Sequence, residues 1–128
     1  YAHADYGSDV PGAVLRELGA AVAGAVARGI APEAIVVDPG FGFSKTPEPS
    51  AWLCDQLGPL LSLGRPVLVG PSRKRFVGAI TGLESAAERD RATAVACALA
   101  WERGARLFRV HDVAATREAL AVVRGIAG

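Results

Sequence analysis

Lysine occurs at only two positions, Lys45 and Lys74, in a chain that carries twelve arginines. Each follows a short apolar run, within DPGFGFSK (38–45) and GPSRK (70–74). Lysine is a compact, strongly hydrated point charge with three donors and arginine a planar fork, so the two are not interchangeable where a site is shaped around one of them. A third segment of the same kind, Arg109-Val110-His111-Asp112-Val113, adds a guanidinium and an imidazole. Asp38, Phe43, Lys45, Ser72, Lys74, Arg109 and His111 are therefore the candidate site residues, a mostly cationic set suited to a ligand that carries phosphate.

The elements that must hold these residues follow from punctuation and periodicity. Asp9 caps and Pro11 opens a helix over about 11–28, with Val14, Leu15, Leu18, Val22 and Val26 at helical spacing and Gly29 closing it. Ile35-Val36-Val37 is a β-branched run that suits a strand buried on both faces. Ser50 or the Pro47/Pro49 pair opens a second helix through Leu53, Leu57, Leu60 and Leu61, stopped by Gly64. Pro66–Val69 leads into the Ser72 turn and a short helical stretch to about Thr81, and Ser85-x-x-Glu88 forms a capping box before a long Ala-rich helix that ends at Gly104. Leu107–Val110, the His111-Asp112 turn and a helix over about 114–124 complete a third round. Three strand–loop–helix rounds imply an α/β fold with parallel strands, right-handed crossovers and outer helices. In doubly wound sheets and (β/α)8 barrels alike, function sits at the C-terminal ends of the strands, where all seven candidates fall.

Composition narrows the remaining classes. With 128 residues, 51% of them hydrophobic, the chain holds one core, and a net charge of +1 with no basic run beyond Arg73-Lys74-Arg75 argues against nucleic acid and anionic membranes as partners. Cys54 and Cys97 lie in helical patterns and read as reduced, buried thiols of a cytoplasmic protein. No secretory leader is evident at the N-terminus, and no stretch reads as the roughly 18 apolar residues of a membrane span. With no Met in it, the chain is expected to be the tail of a longer one. Gly40–Thr46 lacks the glycine that a Walker A loop places before its lysine, Gly40-x-Gly42 lacks the third glycine of a dinucleotide fingerprint, and the Cys and His positions have no zinc-site spacing.

DPGFGFSKT (38–46), PVLVGPSRKRFVG (66–78) and LFRVHDV (107–113), in this order and at these intervals, resemble the last three strand–loop segments of bacterial dihydropteroate synthase, a (β/α)8 TIM barrel of folate biosynthesis. The resemblance covers essentially all of the chain and about half of the family's length. It implies that residues 1–128 form the C-terminal three βα units of a single pterin-binding barrel domain, the first five strands being absent here. Ser44, where the family usually has Gly, and Pro71, where an apolar or small residue is common, depart from its pattern.

The resemblance further implies a transferase that condenses 6-hydroxymethyl-7,8-dihydropterin pyrophosphate with p-aminobenzoate to give dihydropteroate and pyrophosphate, with Mg2+ accompanying the pyrophosphate. On it, Asp38 pairs with the pterin's amino and ring N–H groups and Lys74 with its acceptors. Arg109 and His111 hold the leaving pyrophosphate, and Phe43, Lys45 and Ser72 shape a p-aminobenzoate pocket open to sulfonamides. It implies no metal ligands in this part of the chain, and a homodimer is the expected assembly. The alternatives are an inactive paralogue or a pterin-binding or assembly fragment, since three strands leave edges at Ile35–Val37 and Leu107–Val110. Taken singly, Asp112 reads as a helix cap, Arg73 and Arg75 as surface or interface residues, and Trp52 and Trp101 as core or interface packing.

Overall fold

Three strand segments line up in parallel, and each runs from a helical connection into a polar loop. The structure is a computed structural model that describes residues 9–41 and 48–128. Its first helix, α1 (Val10–Ala27), begins where the sequence places it, with the Asp9 carboxylate accepting the Gly12 N–H at 3.0 Å and Pro11 in the first turn. A 3₁₀ turn at Pro32–Ala34 leads to Val37, the first strand reduced to a single parallel bridge with Val67.

Helix α2 (Glu48–Asp55) is shorter than the leucine spacing suggests, because Pro59 cannot continue an α-helix, and Gly58–Leu63 tightens into a 3₁₀ turn. Gly64 ends that turn in the left-handed conformation, φ 68°. Ser50 therefore sits inside the first turn of α2 rather than capping it, and Pro47 lies outside the described residues. Strand β1 (Leu68–Val69) pairs in parallel with β2 (Leu107–Phe108), Leu68 opposite Leu107 and Val69 opposite Phe108. Between them run α3 (Arg75–Thr81), a 3₁₀ turn (Ala86–Arg89) and α4 (Asp90–Glu102); α5 (Val113–Ala127) follows β2. The order Val37, β1, β2 is sequential, so each crossover carries its helices between neighbouring parallel strands.

The core lies between this small sheet and the helices. Val37, Val67 and Val69 pack with Val10, Val14, Leu53, Leu57, Leu60, Phe41 and Phe76. Leu57 and Val69 are wholly buried, and each such side chain contributes roughly 1.5–3 kcal/mol.

Three expectations change. Val36 is 47% exposed, so only the Val37 side of the first strand is covered. Ser85 makes no side-chain cap; the chain enters α4 through the 3₁₀ turn, and the capping box is not formed. Helix α1 is 18 residues long with a mean hydropathy of 1.4, apolar and long enough to span a bilayer by those measures, contrary to the sequence reading. Arg16 and Glu17 interrupt it, and Leu15, Leu18 and Val22 pack on the core.

Candidate functional site

The strands end at Val37, Val69 and Phe108, and the chain leaves all three on one side of the sheet. Asp38 leaves the first end exposed, and one carboxylate oxygen accepts the Gly40 N–H at 2.9 Å. This Asx turn reverses the chain, with Gly40 at φ 80°, and drops Phe41 into the core, only 2% exposed. Phe41 meets Phe76 of α3 with ring centroids 6.0 Å apart, so one apolar contact ties the first loop to the second. Phe43, Lys45 and Ser44 lie outside the described residues.

The second loop is a tight turn in which the Lys74 N–H donates to the Pro71 carbonyl at 3.1 Å. Pro71 is fully buried, and Arg73 takes the left-handed position that such turns reserve for Gly or Asn, φ 60°. That conformation costs a non-glycine residue roughly 1–3 kcal/mol and persists only where surrounding contacts hold it. Arg73 has them. Its guanidinium makes a two-pronged pair with Asp90, Nε to Oδ1 at 2.9 Å and Nη2 to Oδ2 at 3.0 Å, and its N–H donates to Thr93 Oγ1 at 3.1 Å. Its carbonyl accepts from Arg89 Nη1 at 2.9 Å. The hydrogen bonds from Arg73 hold the Asp90 carboxyl below its ordinary range, and those to Asp90 raise Arg73. Arg73 is thus a tethered residue rather than a plain surface charge, whereas Arg75 is exposed.

Ser72 joins the second loop to the third. Its hydroxyl oxygen, 6% exposed with its residue, accepts the His111 N–H at 3.0 Å and lies 2.7 Å from His111 Nδ1. Arg109 reaches back over the second strand end, so that a Cβ built on Gly70 would sit 3.6 Å from its Nε and Nη2. The carboxylate of Asp112 accepts the Ala115 N–H at 3.0 Å and caps α5, the structural role its position suggests. Lys74, half-buried, stands at the N-cap of α3.

Asp38, Ser72, Lys74, Arg109 and His111 therefore share one rim, with Ser72 and His111 in direct contact and Arg109 lying over Gly70 across the β1 and β2 ends. Sequence reasoning missed Phe41, Arg89, Asp90 and Thr93. Phe41 is the aromatic of its loop nearest the strand end, a position that favours anchoring; the other three, where the 3₁₀ turn enters α4, carry no motif. Among the described residues, no three Asp, Glu, His or Cys side chains converge to hold a metal ion. Trp101 lies under the Arg106 guanidinium, 4.4 Å from ring centroid to charge, and Trp52 is 45% exposed on α2.

Known proteins share this sequence and fold. The chain is 45% identical over 113 residues to dihydropteroate synthase of Neisseria meningitidis serogroup C, covering 88% of this chain and 40% of the relative. It is 40% identical over 126 residues to the inactive dihydropteroate synthase 2 of Mycobacterium tuberculosis, covering 96% of this chain and 39% of that protein. Dihydropteroate synthase from Xanthomonas albilineans, solved in complex with 7,8-dihydropteroate, superposes with a TM-score of 0.94 and 41% identity over all of this chain and 49% of the other. The Thermus thermophilus synthase in complex with 6HMPPP gives a TM-score of 0.90 at 44% identity, covering 99% of this chain and 49% of its own. The chain thus spans two fifths to one half of the proteins it matches, and its three βα units are those of a (β/α)8 barrel. The model of the pterin binding enzymes matches residues 2–111, a span that takes in all three strand ends and the whole rim, and on that match the chain belongs to the pterin binding enzyme family.

Proposed function

We propose that residues 1–128 form the C-terminal part of a pterin-binding barrel domain and supply the rim of a dihydropteroate synthase. The observation that carries this reading is the Ser72–His111 contact, which joins the second and third loops at the strand ends that also carry Lys74 and Arg109. The arylamine nitrogen of p-aminobenzoate attacks the exocyclic methylene carbon of the pterin as its C–O bond breaks. Pyrophosphate leaves with the bonding electrons, and the arylamine gives up one proton.

The carbon becomes cation-like as the bond stretches, so positioning and charge carry most of the chemistry. Asp38 accepts from the pterin's amino and ring N–H groups, a two-donor edge matched by two oxygens. Its carboxylate also stabilises the positive charge that develops. Lys74 donates to the pterin's acceptors. Arg109 and His111 meet the negative charge that grows on the departing pyrophosphate. The Ser72 hydroxyl accepts the His111 backbone N–H and meets Nδ1 of the same residue, which leaves Nε2 as the ring nitrogen available to the pyrophosphate. Ser72 borders the p-aminobenzoate pocket, which Phe43 and Lys45 complete, and sulfonamides compete there. Mg2+ belongs to the substrate's pyrophosphate rather than to this chain.

The protein works in the cytoplasm as a homodimer on this reading. Two free, buried thiols support the first, and an apolar groove of about 420 Å³ between α2, α3 and α4 supports the second. Pyrophosphate release from the two substrates, measured on the protein as expressed from its gene, tests the activity. Lys74→Ala and Arg109→Ala are each expected to lose turnover about 100-fold, the scale of a transition-state charge contact, while keeping the native circular dichroism spectrum. Undiminished turnover in both removes the assigned roles. The similarity to the inactive mycobacterial protein favours a second reading, a pterin-binding paralogue without turnover. Tight pterin binding with no pyrophosphate release selects it.

A further inference from the structure

Three separate groups of one residue are tied to one stretch of chain. The N–H of Arg73 goes to Thr93, its C=O to Arg89 and its guanidinium to Asp90, all at the start of α4. Arg89 is itself held by the carbonyls of Leu83 and Glu84, at 2.9 and 2.8 Å. Its guanidinium occupies the space above Gly78, where a Cβ would come within 2.6 Å of it. Arg73 has no such need as a surface residue. It stands between Ser72, whose hydroxyl holds His111, and Lys74, and its left-handed backbone sets the direction in which each of those two leaves the turn.

We propose that Asp90, Arg89 and Thr93 are positioning residues of the rim, which hold Arg73 in its left-handed conformation and so fix Ser72, His111 and Lys74 in the arrangement that takes a pyrophosphate-bearing pterin. This rests on the synthase reading of the rim. None of the three touches the substrate; each acts through Arg73.

The test is calorimetric titration of inorganic pyrophosphate into the protein as expressed from its gene, alongside Asp90→Asn and Thr93→Val. Both substitutions keep side-chain shape, and melting temperature is followed in each. Asp55→Asn is the control, because it breaks the other ion pair of α4, Arg103 to Asp55 at 3.0 Å, at the far end of the helix. Pyrophosphate affinity is expected to fall about tenfold in Asp90→Asn and severalfold in Thr93→Val, and to hold within twofold in Asp55→Asn at comparable loss of melting temperature. Unchanged affinity in both rim variants, or an equal loss in the control, overturns the proposal. If the unsubstituted protein binds no pyrophosphate, the synthase reading fails by itself. The positioning claim is then read from the ¹⁵N chemical shift of His111 Nδ1, which must move in Asp90→Asn; an unmoved resonance overturns it.

Discussion

At the scale of single residues, Ser72 has two jobs on one oxygen. Ser72→Ala removes the part-buried acceptor of the His111 N–H and frees the ring to rotate. The lost bond costs about 0.5–1.5 kcal/mol, and the freed imidazole no longer presents Nε2 in a fixed direction. Turnover is expected to fall about tenfold or more, with kcat affected more than KM for p-aminobenzoate, and steady-state kinetics check this. An equal rise in that KM with kcat unchanged would assign Ser72 to the p-aminobenzoate pocket alone. The polar identity of the rim was legible because its residues are chemically odd where they stand: Asp after a β-branched run, and Lys in an Arg-rich chain. Their mutual geometry was not, since the Ser72–His111 contact spans 39 positions and Arg73 looks like any other arginine until its φ is known.

Among the elements, the helices were readable and the strands less so. Asp9 and Asp112 cap as their positions suggest, because a carboxylate before an apolar period has a local partner in the next turn. The capping box at Ser85 fails because Arg89, one residue past its Glu, turns back to take the carbonyls of Leu83 and Glu84 and holds the chain in a 3₁₀ turn. No local pattern announces that. Gly78→Ala tests the arrangement, since its methyl would displace the Arg89 guanidinium from three carbonyls. A loss of about 1–3 kcal/mol is expected in urea denaturation, largely absent when Arg89 is already Ala. The thiols give a second prediction for α2 and α4. Burial, then the Asp55 charge, pushes Cys54 from 9.0 to about 11, and burial pushes Cys97 to about 12. A raised folded value means that the unfolded chain loses the proton first. Their contribution is therefore intact below pH 9 and is lost as pH rises through 11 to 12, with both thiols unreactive to alkylation in the folded protein at pH 8. Stability that is flat in Cys54→Ala/Cys97→Ala relative to the parent across pH 9 to 11 would contradict this.

For the molecule as a whole, the outer surface of α4 poses a problem that the rim does not. Ala94, Cys97 and Ala100 turn inward, as a core helix requires, yet Val95, Ala96 and Leu99 give the helix a second apolar side along the groove. With Ile80 of α3, 69% exposed like Val95, this stripe lines the groove of about 420 Å³. A helix apolar on both faces is stable in water only when both are covered, and small residues on the outer stripe allow another helix to approach closely. An isologous contact suits such a surface, because a groove beside a ridge of Val95 and Ile80 can accept the same ridge from a second copy. The strand edges at Val37 and β2 offer a competing route, since neither pairs further among the described residues. Sedimentation velocity separates the two. Val95→Asp is expected to convert a dimer to a monomer without altering the circular dichroism spectrum, because position 95 is exposed and a charge there meets only the partner. A dimer that persists in Val95→Asp would move the contact to the strand edges, and a parent protein that stays monomeric at its highest soluble concentration would remove the dimer from the proposal.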